Sequence, residues 1–282
     1  MTEEPRAAPV DHYENFPVAS WLCPPRLRPP IAAIYWFART ADDIADEGDA
    51  PAGRRIEALA AYRADLVALS HGRATSGRWD AVFRPLGAAL REFALPAPLL
   101  LDLLSAFEQD IVKTRDGHGY RDRGELLDYC ARSANPVGRL LLHLYGIADE
   151  GSLARSDAIC SALQLINFWQ DLGVDLPRGR RYLPDADCAA FHVDPLVPAS
   201  APVEQRRALV RHECEWAREL MLEGAPLARR VPGRAGWELR GVVQGGLRIL
   251  DRIEALGFDT FTARPTIRRR DVAVIGLRML RM

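Results

Sequence analysis

An all-α fold is what this sequence predicts, on three observations. No segment alternates polar and apolar residues with a period of two, as a half-buried strand would. Apolar residues recur instead at helical spacing, in runs set apart by Gly and Pro. A hydrophobic content of 48% over 282 residues is enough for a substantial core. Length alone allows one large domain or two small ones. No linker divides the chain, so residues 13–282 read as one domain behind a polar tail, 1–12, expected to be disordered.

The runs can be taken in order. Pro24-Pro25 and Pro29-Pro30 bracket the approach to a helix that starts in the apolar run Ile31–Ala38 and meets no Gly or Pro before Gly48. Helices follow at about 54–69, 79–94, 97–113, 123–147, 152–175, 203–228, 235–256 and 266–281. Gly and Pro are expected between the runs, with Pro136 the exception. Inside 123–147 it removes a backbone donor and forces a kink. Residues 177–201, rich in Pro and Asp, form a long helix-poor connection.

Two of these helices carry chemistry. Asp42 and Asp46 lie one turn apart on a single face, with Arg39 a turn before Asp42 and Tyr35 a turn before Arg39. Like charges at that spacing repel, so folding alone gains nothing from them. In the second helix Gln164, Asn167, Asp171 and Asp175 follow one another at three- and four-residue steps on one stripe. Facing each other, the two stripes would present five oxygen-bearing side chains across one gap. Two carboxylates about 4 Å apart repel by roughly 4 kcal/mol at an effective dielectric near 20, so a cation is expected between them. Hard oxygen ligands at loose spacing suit Mg²⁺, which bridges carboxylates to substrate phosphates. Arg39 can grip a phosphate through both guanidinium edges. The basic stretch Arg178-Gly-Arg180-Arg181-Tyr182 reads as a flap able to close over a diphosphate. An apolar cavity with a diphosphate at its mouth implies an amphiphilic substrate, and Phe168, Trp36 and Trp169 are candidates to stabilise a carbocation.

Composition narrows the classes. A net charge of -1 argues against nucleic acid as a partner. The five cysteines form no C-x-x-C pair, which points to a reduced, cytoplasmic protein without a structural zinc site. Neither end reads as a signal peptide, and no apolar run reaches the roughly 18 residues of a membrane span. The six histidines lack metal-ligand spacing. Arg268-Arg269-Arg270 reads as a solvated face, with contact to anionic headgroups of the inner membrane as the alternative.

Arg39…Asp42-Asp43-Ile-Ala-Asp46 together with Gln164…Asn167…Asp171…Asp175 resembles the paired aspartate motifs of the squalene/phytoene synthase family. Tyr129-Cys130 leading to Val137-Gly138, Arg181-Tyr182-Leu-Pro184, and coverage from about Tyr13 to Arg264 fit the same family. The resemblance implies an isoprenoid-synthase (class I terpenoid synthase) bundle of helices around a central cavity, with Mg²⁺ as cofactor. It implies that Asp42, Asp46, Asn167, Asp171 and Asp175 hold the metal and that Tyr35, Arg39, Gln164 and Arg264 contact diphosphate. It gives Tyr129 a part in proton handling or cation steering. Glu14–Ser20 and Asn167-Phe-Trp-Gln-Asp171 resemble the branch that forms hydroxysqualene on the bacterial hopanoid route. That branch implies presqualene diphosphate as substrate, water as the capturing nucleophile, no NADPH, and hand-over of product to further pathway enzymes.

Departures from the condensing members agree with that branch. Gln170 stands where those commonly carry Arg, Val174 where many carry an acid, and Leu247 where a diphosphate-contacting Tyr is frequent. A head-to-head condensing synthase stays open as the alternative, and so does a non-catalytic subunit in which the clusters are remnants. A lone Asp-Asp-x-x-Asp serves equally well as a solvated helix end; the second stripe in step with it favours a site. Tyr35 and Tyr129 have core packing as their alternative, and Arg181 and Tyr182 the pinning of the flap.

Overall fold

The computed structural model describes residues 23–282. The tail read at 1–12 and the segment Glu14–Ser20 lie outside them. Every helix the sequence predicts is present, and the described residues contain no strand, only an isolated bridge between Tyr120 and Pro184. The helices are α1 (Arg28–Asp46), α2 (Ala52–Ser70), α3 (Asp80–Phe93), α4 (Ala97–Asp116), α5 (Arg123–Ser133), α6 (Asn135–Leu144) and α7 (Glu150–Gln170). Then come α8 (Leu172–Asp175), α9 (Asp185–Ala190), α10 (Val203–Gly224), α11 (Leu227–Arg230), α12 (Gly233–Ala255) and α13 (Arg269–Arg281).

Helix α1 starts at Arg28 and carries Pro29 in its first turn, where the missing N–H costs nothing. It buries Ile31, Ile34, Phe37 and Ala41 along one stripe and leaves its acids half-exposed. With α2, α3, α4 and α6 it encloses a first apolar cluster around Phe37, Tyr62 and Phe83. The Phe37 and Tyr62 rings stack at 5.1 Å, and the Tyr62 hydroxyl donates to the Phe37 carbonyl at 3.1 Å, which satisfies the one polar group that a buried tyrosine brings with it. A second cluster surrounds α7, which packs along α10 and is flanked by α5, α6 and α12. Tyr145, at the end of α6, touches both clusters.

Two caps fix where the central helices begin. Asp122 accepts from the Glu125 N–H at the start of α5, and Asp149 from the Ser152 N–H at the start of α7, both at 2.9 Å. The α6–α7 crossing is close because Gly138 has no side chain. A Cβ there would sit 2.4 Å from Ser156 Oγ and 2.6 Å from Cys160 Sγ. Beside it the Ser161 hydroxyl donates to Asn135 Oδ1 at 3.0 Å, a buried polar pair that sets the register of the two helices.

The structure corrects several boundaries. Pro136 does more than kink a helix: the chain breaks at Ala134, and α6 starts anew with the proline in its first turn. Pro85 also lies inside a helix, α3, so Pro136 is not the exception it was expected to be. The run 152–175 is two helices, because α7 ends at Gln170 and Asp171 leaves the helical track at φ -106°, ψ 13°. The cause lies far along the chain. Gly173 donates its N–H to the Thr260 carbonyl at 3.1 Å, and a Cβ on it would stand 2.7 Å from the Phe261 carbonyl oxygen. The helix-poor connection holds the short α9, and the last helix starts at Arg269.

Candidate active site

Along α7 one face changes character from base to top. Ser156, Ile159, Cys160 and Leu163 line an apolar cavity, and Gln164, Asn167 and Asp171 continue that stripe. Helix α1 repeats the pattern, with Ile31 on the cavity wall and Tyr35, Arg39, Asp42 and Asp46 above it on the same side. At 1.5 Å per residue, Ile31 lies about 16 Å below Asp42. The cavity is closed by α6 and α12 and contains few polar groups besides Glu238 and Ser156.

The two acidic faces meet through arginine. Arg180 bonds Asp46 closely and reaches Asp175 with Nη1 at 3.5 Å, so one guanidinium joins α1 to the segment after α7. Arg178 approaches Asp46 at 4.0 Å. Arg264 pairs with Asp171 through Nε and, at 3.1 Å, through Nη2, while Asn167 donates to Asp171 Oδ2 at 3.0 Å. Arg39 turns onto its own helix, 2.8 Å from Asp43, 2.8 Å from Glu47 and 3.7 Å from Asp42. Among the described residues no three acidic, His or Cys side chains stand close enough to chelate one ion. The expected five-ligand cluster across one gap is therefore not assembled among the described residues; Asp46, Asp171 and Asp175 are paired with guanidinium groups instead. The donor chemistry nevertheless fits a hard divalent cation. All the candidate ligands offer oxygen, and each acidic face already holds positive charge in the form of Arg39, Arg180 or Arg264.

A buried group of aromatic rings lies within reach of these charges. Tyr182 stacks on Phe168 with ring centroids 3.7 Å apart and planes 9° from parallel, and Tyr120 and Tyr129 complete the group at 6.0 Å and 6.3 Å from Tyr182. The Tyr129 hydroxyl donates a short hydrogen bond to Asp110 on α4. Withdrawal from water pushes the Asp110 carboxyl up to about 7, and the charges of Asp42 and Asp175 add to the effect. Burial likewise raises Asp175 to about 7, helped by the Asp171 charge. It also drives both Tyr129 and Tyr182 well above the usual tyrosine range.

The other residues singled out in the sequence divide. Arg181 does not face the acids. It donates to the carbonyls of Pro195 at 2.9 Å and Gly117 at 2.6 Å and pairs with Asp185, so it braces the connection. Trp169 is fully buried in the second cluster, which makes it packing. Trp36 stands edge-on to Tyr35 at 5.2 Å on the half-buried side of α1. Gln170 donates to the Pro265 carbonyl at 2.6 Å, Val174 is exposed, and Leu247 is core.

Sequence reasoning missed Asp110 as a site residue, and it placed Arg180 in the flap without its bridge between Asp46 and Asp175. Asp110 carried a signal: it sits seven residues beyond Leu103 and four beyond Ala106 on the stripe that α4 buries, and an acid there needs a partner. Arg180 stood in a run of three arginines, and nothing local separates it from Arg178 and Arg181.

The sequence profile of the Squalene/phytoene synthase family matches residues 10–271. The chain belongs to the squalene/phytoene synthase family. Among members of that family, the hydroxysqualene synthase of Rhodopseudomonas palustris is 42% identical over 64% of this chain and 58% of its own length. The chain thus spans less than two thirds of that relative. A phytoene synthase of Cereibacter sphaeroides is 33% identical over 93% of this chain and 75% of its own length. Among solved structures, the squalene synthase HpnC of Alicyclobacillus acidocaldarius superposes with a TM-score of 0.77 at 36% identity, covering 88% of this chain and 90% of that one. A dehydrosqualene synthase at 22% identity and a TM-score of 0.78 shares the fold. The all-α isoprenoid-synthase bundle that the motifs implied is the fold of this chain.

Proposed function

We propose that this member of the family converts presqualene diphosphate to hydroxysqualene in a Mg²⁺-dependent, NADPH-independent reaction. The observation that carries the reading is the shared face of α1 and α7, apolar at the base and acidic at the top. Such a face takes an amphiphile lengthwise, with its diphosphate at the arginines and carboxylates and its hydrocarbon in the cavity. Asp42, Asp46, Asn167, Asp171 and Asp175 are the residues that would hold the metal. When bound, Mg²⁺ supplies fixed positive charge beside the departing diphosphate oxygens.

The chain's own groups do the rest. Arg39, Arg180 and Arg264, with Tyr35 and Gln164 below them, bind and orient the diphosphate, and the arginines spread the charge that grows on it as the carbon–oxygen bond breaks. The diphosphate leaves with the bonding electrons, and the cyclopropylcarbinyl cation left behind rearranges. The faces of Phe168, Tyr182 and Tyr129 attract that cation. Water attacks the rearranged cation, forms the new carbon–oxygen bond and releases one proton. Tyr129, hydrogen-bonded to Asp110, relays that proton toward the carboxylate.

The hydroxysqualene synthases among the relatives support this substrate, and Gln170, Val174 and Leu247 agree, since none of the three offers a polar group to a second diphosphate. The phytoene synthase match over nearly the whole chain favours a second reading, head-to-head condensation of two prenyl diphosphates. Incubation with presqualene diphosphate and Mg²⁺, without NADPH, is expected to release hydroxysqualene. Product from farnesyl or geranylgeranyl diphosphate alone, with presqualene diphosphate recovered intact, would replace the first reading by the second. Asp42→Ala and Asp171→Ala are each expected to cut turnover roughly a hundredfold or more; turnover within a few-fold of wild type would remove those residues from the site.

A further inference from the structure

Helix α13 packs on α12 with one side and leaves the other bare. Val272, Leu277 and Leu280 are 62%, 53% and 70% exposed, and with Ala273 and Gly276 they form one uninterrupted apolar stripe at helical spacing. The opposite side is anchored: Arg248 pairs with buried Asp271 at 2.6 Å, and Arg278 with Asp251 at 2.7 Å. Five of the twelve large apolar side chains exposed among the described residues lie on this flank, Ile267 and Trp237 being the other two. Such clustering is unlike the scattered exposure of an ordinary surface.

The rim of the stripe is cationic. Arg268, Arg269, Arg270 and Arg281 are exposed, and no ion pair with an acid involves them among the described residues. Residues 264–282 hold six arginines and one aspartate, in a protein whose net charge is -1. The aromatic at the edge is held in place: Arg240 lies 4.4 Å over the Trp237 ring and reaches the Met279 carbonyl at 3.5 Å. An exposed apolar stripe, a basic rim and a tryptophan at its border are what an in-plane interfacial helix presents.

We infer that α13 docks this protein on the surface of an anionic phospholipid bilayer. Val272, Leu277 and Leu280 seat at the acyl boundary, and Arg269, Arg270 and Arg281 reach lipid phosphates. The attachment inferred lies in the plane of the interface; no helix of the described residues is long and apolar enough to cross a membrane. The inner flank of this surface leads to the cavity. Ala235, Glu238, Leu239 and Val242 of α12 line it, while Arg240, Gly241 and Gln244 of the same helix meet α13. The docking stands independent of the reaction proposed above; only its purpose, passing an apolar chain between bilayer and cavity, rests on that reading.

Cosedimentation of the full chain with phosphatidylcholine vesicles, with and without phosphatidylglycerol, tests the inference. Wild type is expected to pellet with the anionic vesicles and to be released by salt. Combined Val272→Ser, Leu277→Ser and Leu280→Ser should weaken the partition at least tenfold or so, since each loses an apolar side chain from the interface. Combined Arg269→Gln, Arg270→Gln and Arg281→Gln should weaken it by roughly a hundredfold, at about a factor of five for each cation. Both variants should retain the wild-type circular dichroism and turn over detergent-dispersed substrate as wild type does. Three results would overturn the inference: no binding of wild type to anionic vesicles, equal binding of wild type and both variants, or a wild-type dimer that the serine variant splits, which would make the stripe a contact between copies. Loss of turnover with docking intact would count against the reaction alone.

Discussion

Gln170 donates its amide to the Pro265 carbonyl, the neighbour of Arg264, which pairs with Asp171. Gln170→Leu keeps the volume but leaves a buried carbonyl without its partner, a cost of about 1–3 kcal/mol. We expect turnover to fall roughly tenfold or more, as for outer partners of a metal ligand, with a modest drop in melting temperature; steady-state kinetics beside calorimetry check it. The two stripes, Asp42 with Asp46 and Asn167 with Asp171, were legible in the sequence from helical spacing alone, although Asp175 lies beyond the break at Asp171. Asp110, the bridge made by Arg180 and the role of Gln170 were not, because each is defined by a partner on another segment. Glu213 is a second case hidden from the sequence. It is fully buried, faces Arg123 at 3.5 Å, and lies beside Asp187, which His212 approaches at 4.0 Å. Burial, helped by the Asp187 charge, raises its carboxyl to about 9 from an ordinary 4.5. The folded state thus holds the proton more tightly than the unfolded chain. The stability this gives is complete below pH 4.5 and is lost as pH climbs through about 9. Glu213→Gln should therefore gain melting temperature relative to wild type as pH goes from 5 to 9; a constant difference across that span would refute the assignment.

At the scale of elements, the helices announced themselves through periodicity and punctuation, whereas their breaks did not. Pro136 gave a visible signal, and the chain broke there. The break at Asp171 has no local cause in the sequence, since Gly173 yields to the Thr260–Phe261 backbone almost ninety residues on. Close crossings are equally silent, because a glycine inside a helix reads as a weak point until its neighbour is known. Gly138→Val would drive a side chain into Ser156 and Cys160, both on the cavity wall. Overpacking of this kind costs about 1–3 kcal/mol, worth several degrees of melting temperature in a chain of this size. The same change should narrow the cavity, so activity should fall more for longer prenyl chains than for shorter ones. Product profiles of the variant against wild type test that. Helix α13 shows the converse: Arg268-Arg269-Arg270 was visible as a basic run, but the apolar stripe behind it acquires meaning only once α12 is seen to cover the other side.

For the molecule as a whole, the site is a seam between its two apolar clusters, with α1 contributed by one and α7 by the other. Arg180 stitches the seam at the top, through Asp46 and Asp175. Arg180→Ala removes the cation shared by those carboxylates and leaves Asp46 with Arg178 at 4.0 Å. Apparent affinity for Mg²⁺, read from the metal dependence of turnover, should therefore change, while replacement of Arg181, which only braces the connection, should leave it near wild type. Equal effects at the two positions would contradict the arrangement. The clasp at residues 260–265 has a consequence of another kind. Thr260 and Pro265 accept hydrogen bonds from the stretch 170–173 on their backbone carbonyls, so the mouth of the proposed site depends on a strap that enters the second cluster only through Phe261. A protease nick within 262–268 should silence the enzyme while its melting curve stays nearly intact, an injury that assays of folding alone would pass as healthy protein.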